Sequence, residues 1–158
     1  MARYLTHPSA RSLLGGAFVA GIIGGFLFDA FLFAVGMARF PATYQWIASG
    51  IIGRHLAYSG TDFVWLGIAL HFGIAVVAAV TYAYVGQIVG LLGRPFLGGT
   101  ILGVAMNAIM DTVVVLKGLA PVPHSVHDIG LGLAAHVLFY GIPVAWFISR
   151  YERIPIPY

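Results

Sequence analysis

The stretch LGIALHF, residues 66–72, and its echo LGLAAHV, residues 131–137, each set one histidine inside a strongly apolar run. Followed outward, each run continues for about 20 residues, the length of helix that crosses the roughly 30 Å hydrocarbon layer of a bilayer. Two further runs of that kind precede them, so the chain reads as four spans near residues 12–38, 63–88, 96–116 and 129–149. The first run is too long for a cleaved signal peptide. It leads through Asp29 into more apolar sequence and reads as a span rather than a leader.

Composition points the same way. Of 158 residues, 60% are hydrophobic and 8% charged, and the mean hydropathy is +0.95, a balance that cannot wet the surface of a soluble globule of this size. The expected fold class is all-α, a single membrane domain over residues 1–158 built as a four-transmembrane-helix bundle. The net charge of +3 comes from cations at the span ends and a shortage of acids. No basic stripe tracks a phosphate backbone, so the lipid bilayer, and not nucleic acid, is the expected surrounding. With no cysteine, disulfides, thiolate nucleophiles and cysteine-ligated clusters are excluded.

Topology follows the cations. Arg3, Arg11, Arg94, Arg150 and Arg153 fall at the two ends and the middle loop, against Arg39, Arg54 and Lys117 in the other two loops. The excess predicts both termini on the cytoplasmic side of a bacterial inner membrane, multi-pass. In the first outer loop, Pro41 can open a helix over residues 41–54, with Tyr44, Trp46, Ile47, Ile51 and Ile52 on an apolar side. Tyr and Trp favour the headgroup level, so this segment is expected to lie in the periplasmic interface.

The echo extends beyond the histidines. Gly15 and Gly16 precede Asp29 in the first half, as Gly98 and Gly99 precede Asp111 in the second, and each aspartate is followed by an outer loop and then the histidine phrase. The chain therefore reads as two similar helical hairpins of like orientation. At 1.5 Å per residue, His71, His136, Asp29 and Asp111 all fall roughly 9 to 14 Å inside the outer boundary. Asn107 lies one turn from Asp111. Because ionisable groups facing lipid are costly, Asp29, His71, Asn107, Asp111 and His136 are expected to form a buried polar layer.

Several chemistries fit such a layer. It can be hydrogen-bonded glue between helices. Two imidazoles and two carboxylates can ligate a divalent metal such as zinc, manganese or iron. The same groups can relay protons. His71 and His136 can also hold one b-type haem as opposing axial ligands. Spacing does not choose among these, and no cofactor is the default expectation. At the outer mouth, His124, His127 and Asp128 form a cation candidate or simply a solvated loop.

In the first span Gly16, Ala20 and Gly24, and beside them Ala17, Gly21 and Gly25, recur every four residues, a small-residue surface that admits another helix closely. No phosphate-binding loop, nucleophile elbow or HExxH pattern is present, and no nucleophile is matched to a base, so an enzyme is not expected.

The segments YQWIASGIIGRHLAYSG, GIALHFGIAVVAAVTY, AMNAIM and AHVLFYGIPVAW resemble a family of uncharacterised four-span inner-membrane proteins of proteobacteria, over most of the chain from Asp29 onward. The family pattern falls on Asp29, Gln45, Ser49, Gly50, Gly53, His71, Asn107, His136 and Pro143; Asp111 stands where the pattern is apolar. The resemblance implies an inner-membrane location and no particular reaction. The function expected from the sequence is a non-enzymatic accessory or assembly subunit, packing through the Gly-rich face on other membrane subunits or a second copy. The alternatives are a small metal-ion or proton transporter and a haem protein.

Overall fold

The structure, a computed structural model, describes residues 10–117 and 125–151. These are all-helical, without strands among the described residues. Helix α1 covers Ala10–Ala34, α2 Ala42–Ile52, α3 Arg54–Ala57, α4 Val64–Ile88, α5 Pro95–Leu116, α6 Val126–Ala134 and α7 Ile142–Tyr151. A π-helical stretch, Ala135–Gly141, joins α6 to α7 into one continuous rod. Four helices are long and apolar enough to cross a membrane: Leu13–Ala34, Val64–Ile88, Pro95–Val114 and Val126–Tyr151. This is the architecture of a multi-pass membrane protein.

The bounds differ from the sequence expectation where backbone chemistry intervenes. The first span stops at Ala34 rather than reaching residue 38, because Gly36 turns to φ +76° and the amides of Met37 and Ala38 fold back onto the Leu32 carbonyl. The fourth starts three residues early, since Ser125 caps it. The Ser125 Oγ accepts from the Asp128 amide (3.1 Å), and the Asp128 carboxylate accepts from the Ser125 amide (3.4 Å), a reciprocal capping box. The π stretch sits just ahead of Pro143. A proline there offers no amide to the carbonyl four residues back and crowds it, and widening the preceding turn relieves both.

Packing follows the small residues. On α1, Leu13, Gly16, Ala17, Ala20, Gly21, Gly24, Gly25 and Asp29 are buried along one face. That face seats α1 between α4 and α7. A Cβ at Gly21 would stand 2.7 Å from the Val76 Cα of α4, and one at Gly24 would meet Val144 and Tyr140. The second half is as close: a Cβ at Gly99 would lie 2.5 Å from the Ile142 Cα, and one at Gly103 would lie 2.5 Å from the His136 carbonyl. Here α5 meets the π stretch backbone to backbone. Helices α4 and α5, though joined by a tight turn at residues 89–94, pack mainly on other partners, α4 on α1 and α2, α5 on the α6–α7 rod.

The apolar core built this way, with Ala17, Ala79, Ala83, Val144, Ala145 and Ile148 at its centre, fills the half of the bundle nearer the α4–α5 turn. The half nearer α2 is packed differently. One bond crosses at the boundary, where the Tyr140 hydroxyl donates to the Ala75 carbonyl at 2.5 Å. That carbonyl lies in mid-helix, and its second lone pair serves the tyrosine. Tyr140→Phe is expected to lose about 1 kcal/mol, roughly 2–4 °C in a thermal melt of the detergent-purified protein. An unchanged melt would show that the hydroxyl contributes nothing to the junction of α4 with the rod.

Candidate functional site

Between α1, α2, α4, α5 and α6, in the half of the bundle that the core leaves open, lies a cavity of about 410 Å³. Its wall is chiefly apolar. Asp29, His71, Asn107, Asp111 and His136 all line it, and Asp128 does so as well. The five polar-layer residues named from the sequence therefore share one space, but they form no single hydrogen-bonded network and no uniformly buried layer: Asp29 is buried, His71, Asn107 and His136 are half-buried, and Asp111, nearer the open end of the cavity wall, is exposed.

Asp29 is the centre of the first group. It is buried, at 7% exposure, and its Oδ2 accepts a 2.6 Å hydrogen bond from the Tyr44 hydroxyl of α2. The His71 Nε2 lies 3.2 Å from its other oxygen, Oδ1, near enough for a charge pair. The ring N–H direction misses the carboxylate, so no hydrogen bond closes, and Nε2 stays buried without one. Burial first, and then the adjoining carboxylate, hold the Tyr44 phenol well above its ordinary range, so it stays a donor.

Tyr44 was not among the site residues read from the sequence, where it appeared as one aromatic of an interfacial helix. The structure turns α2 the other way: Tyr44, Ala48 and Ser49 are its buried residues, while Ile51 is exposed. The reason lies in the histidine phrase. Gly67 stands one turn before His71, and the Tyr44 carbonyl rests directly where a Gly67 Cβ would be. Only glycine lets α2 approach α4 closely enough for the phenol to reach Asp29. Gly67 and His71, four apart, share a helix face, so the residue that admits α2 and the residue that faces the carboxylate form one unit. Gly132 and His136 repeat that spacing in α6 and the π stretch. A Cβ at Gly132 would meet the Asn107 side chain at 3.6 Å, and the His136 Nδ1 donates to the Gly132 carbonyl at 2.9 Å. A carbonyl can only accept, which fixes Nδ1 as a protonated nitrogen and leaves Nε2 as the acceptor of the neutral ring.

The second group is simpler. The Asn107 amide donates to Asp111 Oδ2 at 2.8 Å along one turn of α5. Phe28 links the halves: its ring centroid is 5.9 Å from that of His71 and 4.6 Å from that of His136. This geometry does not suit a haem held by both histidines. The His71 Nε2 lies 3.2 Å from an Asp29 oxygen, and the Phe28 ring lies beside both imidazoles, against His136 edge-on. Nor do three His, Asp or Glu side chains converge as a metal-holding group among the described residues. Of the outer-mouth candidates, His124 lies outside the described residues. His127 is exposed, its Nδ1 3.5 Å from Asp128 Oδ1, and Asp128 is engaged in the α6 cap. The Gly16–Gly24 and Ala17–Gly25 rows lie against α4, the π stretch and α7 of the same chain.

Comparison of the chain with protein-family models, with curated proteins and with solved structures finds no match. What the site can do is therefore read from its own chemistry. A buried carboxylate shared by a phenol and an imidazole, on the wall of an apolar cavity inside a membrane bundle, can exchange a proton and can hold a polar group of a bound molecule.

Proposed function

We propose that this protein is a non-enzymatic membrane carrier. In this reading its cavity binds a small solute, and the Asp29–His71 pair gives up or takes up a proton as the solute arrives or leaves. The observation that carries the reading is the burial of Asp29 on the cavity wall between Tyr44 and His71. Helix glue accounts for the Tyr44 bond but not for a cavity of this size, nor for Asn107 and Asp111 on its other side. The other charged and titratable groups on the cavity wall are Asp111 from α5, Asp128 and His136 from the α6 rod and Tyr140 from the π stretch, while Tyr44 of α2 reaches the pair from behind, through Asp29. We further place α2 and the cavity at the periplasmic face of a bacterial inner membrane, with both termini cytoplasmic. Support comes from the arginines near the α4–α5 turn and the termini and from Arg150 stacked on Trp146 at that end, 4.9 Å from the ring centroid.

An assembly subunit is the competing reading. It rested on the small-residue rows of α1 as a docking face, but those rows are covered by α4, the π stretch and α7, so a partner would have to meet larger, lipid-facing side chains. The carrier reading makes a direct prediction. In a Trp65→Phe, Trp146→Phe background, Trp46, which lines the cavity, reports on it alone. Its emission should change reversibly with pH in the reconstituted protein and stay flat in both Asp29→Asn and His71→Gln. A wild-type signal indifferent to pH would remove the proton from the reading.

A further inference from the structure

We propose that the solute is a lipophilic organic cation, an amine or quaternary onium carrying apolar groups. The inference rests on the carrier reading and gives its substrate class. Every side chain that brings formal charge to the cavity wall, histidines aside, is a carboxylate: Asp29, Asp111 and Asp128, with no lysine or arginine. Asp29 and Asp111 retain acceptor capacity. Tyr44 occupies Asp29 Oδ2 and Asn107 occupies Asp111 Oδ2, while the imidazole at Asp29 Oδ1 is out of hydrogen-bonding line. The Asp29 carboxylate, buried in an apolar wall, lacks the hydration it would have in water, so a cation that arrives with little hydration of its own gains the most from it.

The rest of the wall selects against small inorganic ions. No three ligating side chains converge among the described residues, and an apolar lining cannot replace a metal's shell of water. It suits a cation wrapped in hydrocarbon. Phe28, Trp46 and Tyr140 put aromatic rings in the wall, and aromatic rings attract onium groups once water is excluded. The volume, about 410 Å³, lies within the usual range for pockets that enclose a molecule of drug size.

Three probes of one shape and different charge test this: tetraphenylphosphonium, tetraphenylborate and neutral triphenylphosphine oxide, titrated against the detergent-purified protein carrying Trp46 as its sole tryptophan. The expected result is saturable quenching by the phosphonium, at a concentration at least about tenfold lower than for the other two, and about tenfold weaker binding in Asp111→Asn. Asp111 is exposed and outside the packed core, so that variant retains the fold. If all three probes saturate alike, the cation assignment is overturned while the cavity remains a binding site. If none saturates, the carrier reading falls with it. Phosphonium binding that Asp111→Asn leaves unchanged, with Asp29→Asn equally unaffected, overturns the assignment of charge recognition to these carboxylates.

Discussion

Gly67→Ala is expected to destabilise the protein by about 3 kcal/mol, and Gly73→Ala, six residues along the same helix, to leave it unharmed or slightly more stable. Alanine is the better helix former at both positions, by up to about 1 kcal/mol. What separates them is the neighbour. Around Gly73 there is open space, whereas at Gly67 the new carbon would occupy the position of the Tyr44 carbonyl, and neither backbone can yield as a flexible side chain would. Helix α2 must then lift from α4, carrying the Tyr44 hydroxyl away from Asp29. Paired thermal melts of the two variants, with hydrogen exchange followed over Ala42–Ile52, check this: exchange in α2 should rise at least about tenfold in Gly67→Ala only. Matching melts for the two variants would mean that α2 is not seated through Gly67.

The second large effect is expected at Asp29. Asp29→Leu removes the acceptor of a buried phenol and the charge partner of a buried imidazole, and should lower stability by about 3 kcal/mol. Hydrogen bonds between membrane helices are individually modest, near 0.5 to 2 kcal/mol, so most of that loss is the penalty of stranding two polar groups. It follows that adding Tyr44→Phe and His71→Leu to Asp29→Leu should recover most of the loss, since an all-apolar cluster strands nothing. Thermal melts of the single and triple variants in one detergent measure both terms. A triple variant less stable than the single would show that the polar contacts hold this end of the bundle by more than mutual satisfaction. Asp29→Asn, which keeps an acceptor for Tyr44, should fall between wild type and Asp29→Leu.

These two positions also show what could be read from the sequence. The spans were legible because length and hydropathy are properties of a segment by itself. Depth along a helix is a count of residues, and Asp29, His71, Asn107, Asp111 and His136 line one cavity, but burial depends on which neighbours cover each side chain, and of the five only Asp29 is buried. Tyr44 was not legible. Which face α2 turns to the bundle is decided by the fit of its backbone against Gly67, a long-range contact with no signature in the α2 segment itself. The glycine at four-residue spacing before each histidine was visible, and its meaning needed the partner it admits. The small-residue rows of α1 lie against helices of the same chain, and periodicity carries no information on whose helix approaches. The π stretch was likewise hidden, because its form comes from packing against Gly99 and Gly103 ahead of Pro143.

A π turn holds about one residue more than an α turn over a comparable rise. The stretch Ala135–Gly141 is therefore an insertion accommodated inside a span instead of in a loop. Any descendant or cousin of this chain that loses the wide turn will be a residue shorter in mid-helix, with the capped start of α6 and the Arg150 end both unmoved. Aligning two such sequences with gaps confined to loops would slide His136 off its counterpart while leaving every hydropathy peak in place. The correct gap belongs between His136 and Pro143.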